Sequence, residues 1–171
     1  VVAWTDVANA EGSNNATYAY AAGGATDDFQ ILRLSNFGFS IPTGATITGI
    51  TVEVYNESVT TNTNWSVVKL LIGGTESGTN NAIADSLNTP AGIKTFGSSS
   101  DLWGLTLSYS DINGSGFGVS LKIGNAGDTA RISWARITIE YTGGSVGTTI
   151  TYENPKTQMY VNGTNINLGY T

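Results

Sequence analysis

Acidic side chains are the residues of this sequence whose types could support catalysis. A glycoside hydrolase needs two carboxylates that face each other across a cleft. The candidates for such a pair are Glu53, Glu57, Glu76, Asp101, Asp111 and Glu140. Their spacing selects no pair, and we expect Glu53 and Glu140 to lie on the outward faces of strands. The sequence therefore indicates a protein that is not an enzyme.

Metal and cofactor chemistry has little support in the sequence. Cys and His are both absent, which removes thiol nucleophiles, the commonest general base and the commonest transition-metal ligand. The adjacent Asp27 and Asp28 could offer oxygen ligands to calcium. Neighbouring side chains in an extended segment point apart, however, and no EF-hand spacing surrounds this pair. We interpret the pair as a solvated turn and predict no metal and no cofactor.

Four tryptophans raise the alternative of a carbohydrate-binding surface, because an exposed indole ring offers a broad apolar face. Trp134 lies near Ile132 in the sequence and is predicted in the core. Trp65 follows a stretch of Thr and Asn residues and is the best candidate for an exposed ring. A single exposed ring is a weak platform, so this function is the second hypothesis.

The composition narrows the range of partners. Only 12% of the residues are charged, and the net charge is -6 with a pI of 4.3. Binding to nucleic acid requires clustered Lys and Arg, whereas the seven basic residues are scattered, so we expect no nucleic-acid partner. The surface must consist largely of Ser, Thr, Asn and Gly, which lowers the barrier to self-association because like charges repel less.

The same composition bears on location. No stretch approaches the roughly 20 apolar residues that span a membrane, so no membrane span is expected. A surface of hydroxyl and amide side chains is typical of extracellular β proteins. The sequence starts at Val1, which agrees with removal of a signal peptide and equally with truncation. We expect an extracellular, cell-surface or virion-surface protein.

Short strand signals dominate the sequence. Ile50, Val52 and Val54 alternate with polar neighbours and predict a half-buried strand. Gly49, just before them, allows a close backbone approach or a bulge. Eight or so such strands in a chain of 171 residues predict an all-β, antiparallel two-sheet sandwich, most simply a jelly roll.

One of these strands changes phase. Between Ala130 and Tyr141, Ile132 and Trp134 fall on one parity, whereas the later apolar residues fall on the other. Side chains alternate between the two faces of a strand, so one regular strand cannot bury both groups. A β-bulge near Ala135 and Arg136 is predicted to reconcile them.

A strand-rich segment follows the last predicted strand of the sandwich. We expect a β-sandwich domain over 1–142, a Gly/Ser-rich hinge over 143–147 and a C-terminal tail over 148–171. The predicted hinge glycines are Gly143, Gly144 and Gly147. The hinge would reach roughly 17 Å if it were extended at about 3.3 Å per residue.

The tail contains the pattern of a hairpin that turns at Asn162-Gly163. This turn would place Met159 opposite Ile166 and Val161 opposite Thr164. An apolar face results, and it must be covered either by the chain's own domain or by another molecule. The residues predicted to form this assembly interface are Ile150, Tyr152, Met159, Val161, Ile166, Leu168 and Tyr170.

Glycans are further candidate partners. Asn-X-Ser/Thr sequons stand at Asn15, Asn56, Asn64, Asn113 and Asn162. A chain this rich in Asn, Ser and Thr contains several by chance. The sequons permit glycosylation and do not require it.

An ordered set of motifs resembles a known family. The motifs are Trp4, Asn9-Ala10, Tyr18-Ala19, Leu32-Arg33-Leu34-Ser35-Asn36-Phe37-Gly38-Phe39-Ser40-Ile41-Pro42-Thr43-Gly44-Ala45-Thr46-Ile47-Thr48-Gly49-Ile50-Thr51-Val52-Glu53-Val54, Asp101-Leu102-Trp103-Gly104, Asp111-Ile112-Asn113, Phe117-Gly118-Val119 and Ile137-Thr138-Ile139-Glu140-Tyr141. Together they resemble jelly-roll-like domains of phage structural proteins and bacterial surface proteins, and are similar to subunits of extracellular fibrils. The resemblance covers roughly Trp4 to Tyr141 and brings no catalytic residues. The tail lies outside it.

The leading hypothesis is a non-enzymatic structural subunit of a filament or fibril. Each copy would donate its C-terminal tail to a neighbouring copy by β-augmentation and so form a head-to-tail homopolymer. In the alternative, the tail packs on its own domain and the chain is a carbohydrate-binding or adhesive surface module.

Overall fold

The computed structural model describes residues 1–12, 15–24, 27–59, 63–83, 86–124, 129–143, 149–153, 156–161 and 164–167, the last three ranges as backbone. A 3-10 helix spans Val7–Ala10 and helix α1 spans Tyr109–Asn113. The first eight strands are β1 (Ala19–Ala22), β2 (Leu32–Ser35), β3 (Thr46–Ser58), β4 (Asn64–Ile72), β5 (Thr75–Ser77), β6 (Gly92–Ser98), β7 (Gly118–Gly124) and β8 (Thr129–Thr142). Three more follow: β9 (Thr149–Glu153), β10 (Lys156–Val161) and β11 (Thr164–Asn167).

The first eight strands form two antiparallel sheets. Their order is β1-β8-β3-β6 in the first sheet and β2-β7-β4-β5 in the second. The chain crosses between the sheets at every connection except the β4–β5 hairpin. Eight strands divided in this way form a jelly roll. The predicted all-β, two-sheet antiparallel sandwich is confirmed.

Strands β3 and β8 form the long central pair of the first sheet. As predicted, Ile50, Val52 and Val54 are fully buried between the sheets. The intervening residues of β3 lie on the outer face and are half-buried. The pairing shifts register between Ile47 and Gly49, with Thr48 as the extra residue, so of the two roles expected near Gly49, a close approach or a bulge, the bulge is present next to it.

The second bulge of this pair lies earlier in β8 than predicted. The register passes from Tyr55 opposite Trp134 to Asn56 opposite Ile132, which leaves Ser133 as the extra residue. The phase change therefore precedes Trp134. For this reason Trp134 lies on the outer face and is half-buried, and its predicted place in the core is wrong.

A bulge also overturns the prediction for Trp65. The β4–β7 register shifts between Trp65 and Val67, so Trp65 faces inward opposite the buried Ile123. Its side chain is 4% exposed, and its ring meets Phe96 edge to face at 5.1 Å between centroids. The polar residues before Trp65 suggested exposure, but the bulge determines which face it occupies.

The turn after β6 closes one end of the core over β3. Trp103 is fully buried, and its Nε1 donates a hydrogen bond of 2.9 Å to the carbonyl of Ile50. The Asp101 carboxylate accepts a hydrogen bond of 2.7 Å from the Trp103 N–H, and the Asp101 carbonyl accepts one of 2.9 Å from the Ile50 N–H. This turn can approach β3 closely only because Gly49 has no side chain there: a Cβ would overlap the Ser99 carbonyl.

Replacing Gly49 with Ala should therefore destabilise the fold. The new methyl group would meet backbone rather than a movable side chain, and overpacking of this kind costs roughly 1–3 kcal/mol. The free energy of unfolding by chemical denaturation measures the loss. Gly114→Ala is the matched control, because a Cβ there would lie 3.5 Å from its nearest neighbours and the backbone φ is -67°. Equal stabilities of the two variants would contradict the close approach.

Candidate functional site

The C-terminal strands pair with both sheets of the sandwich. Strand β9 is antiparallel to β8, from Arg136 opposite Glu153 to Glu140 opposite Thr149. Strand β10 is antiparallel to β2, from Ser35 opposite Lys156 to Leu32 opposite Met159. Strand β11 continues the second sheet beyond β10. We call the 136–140 stretch of β8 together with β2 the acceptor edges.

Each acceptor edge is a strand segment with one neighbour inside the sandwich. Strand β3 pairs along β8 on one side, while β1 pairs on the other side only with residues 129–132. Strand β2 has β7 on one side. The opposite sides of 136–140 and of β2 therefore carry backbone N–H and C=O groups that β9 and β10 satisfy, which is how an added strand binds a sheet.

The two acceptor edges lie on the same side of the sandwich. The chain passes from Glu153, at the end of β9, to Lys156, at the start of β10. Three Cα steps span at most about 11 Å, and packed sheets are about 10 Å apart. A connection this short can join the two sheets only where their edges face each other.

The predicted interface residues occupy systematic register positions. Ile150 lies opposite Ile139 and Tyr152 opposite Ile137 in β8. Met159 lies opposite Leu32 in β2. These three partners in the sandwich are fully buried core residues. The tail strands are thus aligned with the apolar pattern of both edges.

The hairpin register is also as predicted. Met159 lies opposite Ile166 and Val161 opposite Thr164, the pairs expected for a turn at Asn162-Gly163. Of the predicted hinge, Gly143 has a left-handed φ of 76°. Predictions for Gly144, Gly147, Asn162, Leu168 and Tyr170 fall outside the described residues.

Two of the candidate catalytic carboxylates belong to a cross-strand ladder on the outer face of the first sheet. Glu53 accepts a hydrogen bond of 2.7 Å from Arg136, and Glu57 accepts one of 2.8 Å from Arg131. Each acid lies directly opposite its arginine in the β3–β8 register. Partly exposed pairs of this kind contribute little stability, so we interpret them as residues that favour the correct register.

Other candidate carboxylates also have structural partners. Glu76 accepts hydrogen bonds from Arg33 at 3.2 Å and from Ser120 at 2.8 Å. Asp28 pairs with Lys122 at 2.8 Å, and Asp27 accepts a hydrogen bond from the Gly24 N–H. Among the described residues, no three acidic side chains converge as a metal site would require. The contacts of Glu76, Asp27 and Asp28 are thus the ion pairs and hydrogen bonds of strands and turns.

The outer face of the first sheet also carries aromatic rings. Trp134 stacks on Tyr55 with 5.7 Å between ring centroids, and the Arg136 guanidinium lies 5.4 Å from the Trp134 ring. The Trp134 Nε1 donates a hydrogen bond of 2.8 Å to Asn15. Because these neighbours contact the indole, Trp134 does not offer an open platform.

A groove of about 640 Å³ beside this ladder was not anticipated. Its lining includes Asp6, Asn9, Tyr18, Tyr20 and Arg131. Tyr20 is 38% exposed, and the Arg131 guanidinium lies 5.7 Å from the Tyr18 ring. The alternation of Tyr18 and Tyr20 is a sequence signal that could have placed both rings on one face.

One sequon is incompatible with modification of the folded chain. Asn56 is fully buried, and its Nδ2 donates hydrogen bonds to the carbonyls of Val54 and Gly92. The sequon at Asn56 is therefore inaccessible to modification in the folded chain. Asn15, Asn64 and Asn113 are exposed, and the Asn113 Nδ2 donates to the Ile41 carbonyl at 2.9 Å.

Helix α1 and its cap explain the position of Asp111. The Ser108 side chain accepts from the Asp111 N–H, and the Asp111 carboxylate accepts from the Ser108 N–H at 2.8 Å, which forms a capping box. Hydrogen bonds from the Ser108 hydroxyl and backbone hold the pKa of Asp111 below its ordinary value. The Ser-X-X-Asp spacing was a signal for this helix that the sequence interpretation missed.

The fold and edge geometry define a jelly-roll protein with two paired sheet extensions. Comparisons with protein-family models, with curated proteins and with solved structures find no match. The resemblance to phage and bacterial surface domains therefore stays a prediction. In the part of the chain that the structure describes, no helix has the length and apolar character needed to cross a membrane.

Replacing Asp111 with Asn should lower stability in a pH-dependent way. The folded-state pKa is lowered, so the stabilisation is present above the unfolded-state pKa and is lost as pH falls through the folded-state pKa. We expect a lower unfolding midpoint than wild type at about pH 7, with the gap closing as pH falls below about 4. Thermal unfolding followed by circular dichroism measures it. A difference in unfolding midpoint between wild type and Asp111→Asn that stays constant with pH would contradict a role for the charge. The Ser108→Ala variant should also show a weaker pH dependence of its unfolding midpoint, because it lacks the hydroxyl that bonds to Asp111.

Proposed function

We propose that this chain is a non-enzymatic structural subunit of an extracellular or virion-type filament. Its C-terminal strands act as the assembly device by β-augmentation. The observation that carries the proposal is the pairing of β9 with β8 and of β10 with β2. One continuous segment satisfies an edge of each sheet, as a donated strand does.

Other features of the chain support a building block. Glu53 and Glu57 form ion pairs with arginines, and Asp111 caps helix α1. The low content of charged residues, 12%, limits repulsion between neighbouring copies. A donated tail and its acceptor edges are different surfaces, so the contact is heterologous and propagates as a filament unless it closes into a ring.

Deleting residues 146–171 tests the proposal. We expect the full chain to form filaments visible by negative-stain electron microscopy and the deletion variant to remain monomeric in sedimentation velocity. Normal filaments from a folded deletion variant would overturn the role of the tail. Failure of the full chain to assemble at any concentration would overturn the proposed function.

A second variant covers the case in which the deletion variant fails to fold. Thr157→Pro combined with Gln158→Pro removes two consecutive N–H groups of β10, and consecutive N–H groups point to opposite sides of a strand. At least one pairing with a neighbouring strand is therefore lost, and assembly should fall sharply. Thr157→Val with Gln158→Thr keeps both N–H groups and is the matched control.

The second candidate function is carbohydrate binding, with the tail packed on its own domain. The groove beside Tyr18, Tyr20 and Arg131 favours it, because a tyrosine ring offers an apolar face and Arg and Asp offer hydrogen bonds. A glycan array with the wild-type chain should then show selective binding that Tyr20→Ala reduces at least tenfold and Tyr20→Phe largely keeps. No binding on the array, or equal binding by Tyr20→Ala, would contradict this candidate.

A further inference from the structure

We infer that the acceptor edges of one copy receive the C-terminal strands of the next copy in the same register that the single chain shows. Strand β9 of the donor would pair with residues 136–140 of the acceptor, and donor β10 would pair with acceptor β2. The occupant is thus a named segment of a second copy. This inference rests on the proposed function and specifies its binding site.

The edge strands on the two sides of the sandwich differ in length, charge and backbone conformation. On the side away from the tail, β5 has only three residues, Thr75–Ser77. The other edge strand there, β6, carries Lys94 and has Gly97 at a left-handed φ of 72°. Short strands, lysines and irregular backbone are the devices by which proteins block unwanted strand addition.

The acceptor edges contain no Lys and no residue with a left-handed φ. Residues 136–140 pair with β9 one for one without a register shift, and this stretch contains no Gly or Pro. Strand β2 pairs with β10 without a shift as well. Both edges present fully buried core residues in alternation, namely Ile137, Ile139, Leu32 and Leu34. An edge of this kind is suited to receive a strand.

The acceptor site extends beyond the two strand edges. Strand β10 lies beside the 3-10 helix Val7–Ala10 as well as β2. Because this helix is close to β10, the N-terminal segment is a further neighbour of the site. A donor segment would therefore contact both sheets and the N-terminal helix of its acceptor.

Pairing within one chain and pairing between copies make the same contacts. Strands β9, β10 and β11 follow one another, and one connection, residues 141–148, links β9 to its partner stretch in β8. The choice between closed and exchanged forms therefore depends on this connection and on protein concentration. Dilution favours the closed monomer, and high concentration favours exchange.

Cysteine cross-linking between two single variants tests the exchange. Thr138 lies opposite Thr151 in the β8–β9 pair. The chain has no Cys, so every disulfide must involve an introduced residue. Thr138→Cys and Thr151→Cys chains are mixed as monomers, concentrated until filaments form, oxidised and separated on a non-reducing gel. Neither variant can cross-link within itself, so a heterodimer that exceeds the two homodimers, as the specific Thr138–Thr151 pairing requires, reports exchange between copies.

We expect heterodimers in at least a quarter of the assembled chains, and almost none in dilute monomer. The matched control mixes Thr51→Cys with Thr138→Cys, which lie opposite each other in the β3–β8 core pair and should give no heterodimer. Filaments without Thr138–Thr151 heterodimers would overturn the exchange but keep the tail-dependent assembly. In that case, the doubly substituted chain should cross-link only within itself. Absence of filaments would instead overturn the proposed function.

Discussion

The pairing of β3 with β8 is the constraint on which most of this structure depends. These strands have 13 and 14 residues. Their register determines which residues enter the core and which acids lie opposite which arginines. It also determines which stretch of β8 lacks a second neighbouring strand within the sandwich. Because side chains alternate, a one-residue slip would move every apolar side chain to the wrong face. Direct opposition of Glu53 to Arg136 and of Glu57 to Arg131 penalises such a slip, although each ion pair is worth little in stability. The ladder thus contributes specificity of pairing.

The same pair explains how much of the fold could be predicted from the sequence. Alternation at Ile50, Val52 and Val54 predicts the face of β3 because period-two patterns report burial directly. The hairpin register of Met159 and Ile166 follows from an Asn-Gly turn signal. Bulge positions are harder to predict from the sequence. An inserted residue moves all later side chains of the strand to the opposite face of the sheet, while the composition of the strand gives no sign of it. Trp65 and Trp134 were misplaced for this one reason, and each lies within two residues of a register shift.

The acceptor edges could not be predicted from the sequence at all. Strand β2 and the second half of β8 are about 100 residues apart along the chain, and only the jelly-roll order places both on one side of the sandwich. The tail itself was recognisable from its apolar alternation, but its partners depend on tertiary topology. Likewise, the groove beside Tyr18, Tyr20 and Arg131 combines residues of β1 and of the segment before it with Arg131 of β8. Local patterns indicate which segments need a partner, whereas topology determines which edges remain available.

In the proposed filament, edge pairing would also couple the stability of a subunit to its assembly. The backbone hydrogen bonds that join β9 to β8 would be the same in a closed monomer and in a filament, so a change that weakens this pairing weakens both states. Changes that distinguish the two states must act elsewhere, on residues 141–148 or on contacts that form only between whole subunits. An open, regular edge would be an aggregation hazard in a monomeric protein. Here the chain carries a matching strand of its own, which covers the edge within the chain and would make the edge specific for that strand in the proposed exchange. On the other side, the three-residue β5 and a β6 that carries Lys94 and the left-handed Gly97 have features that disfavour strand addition.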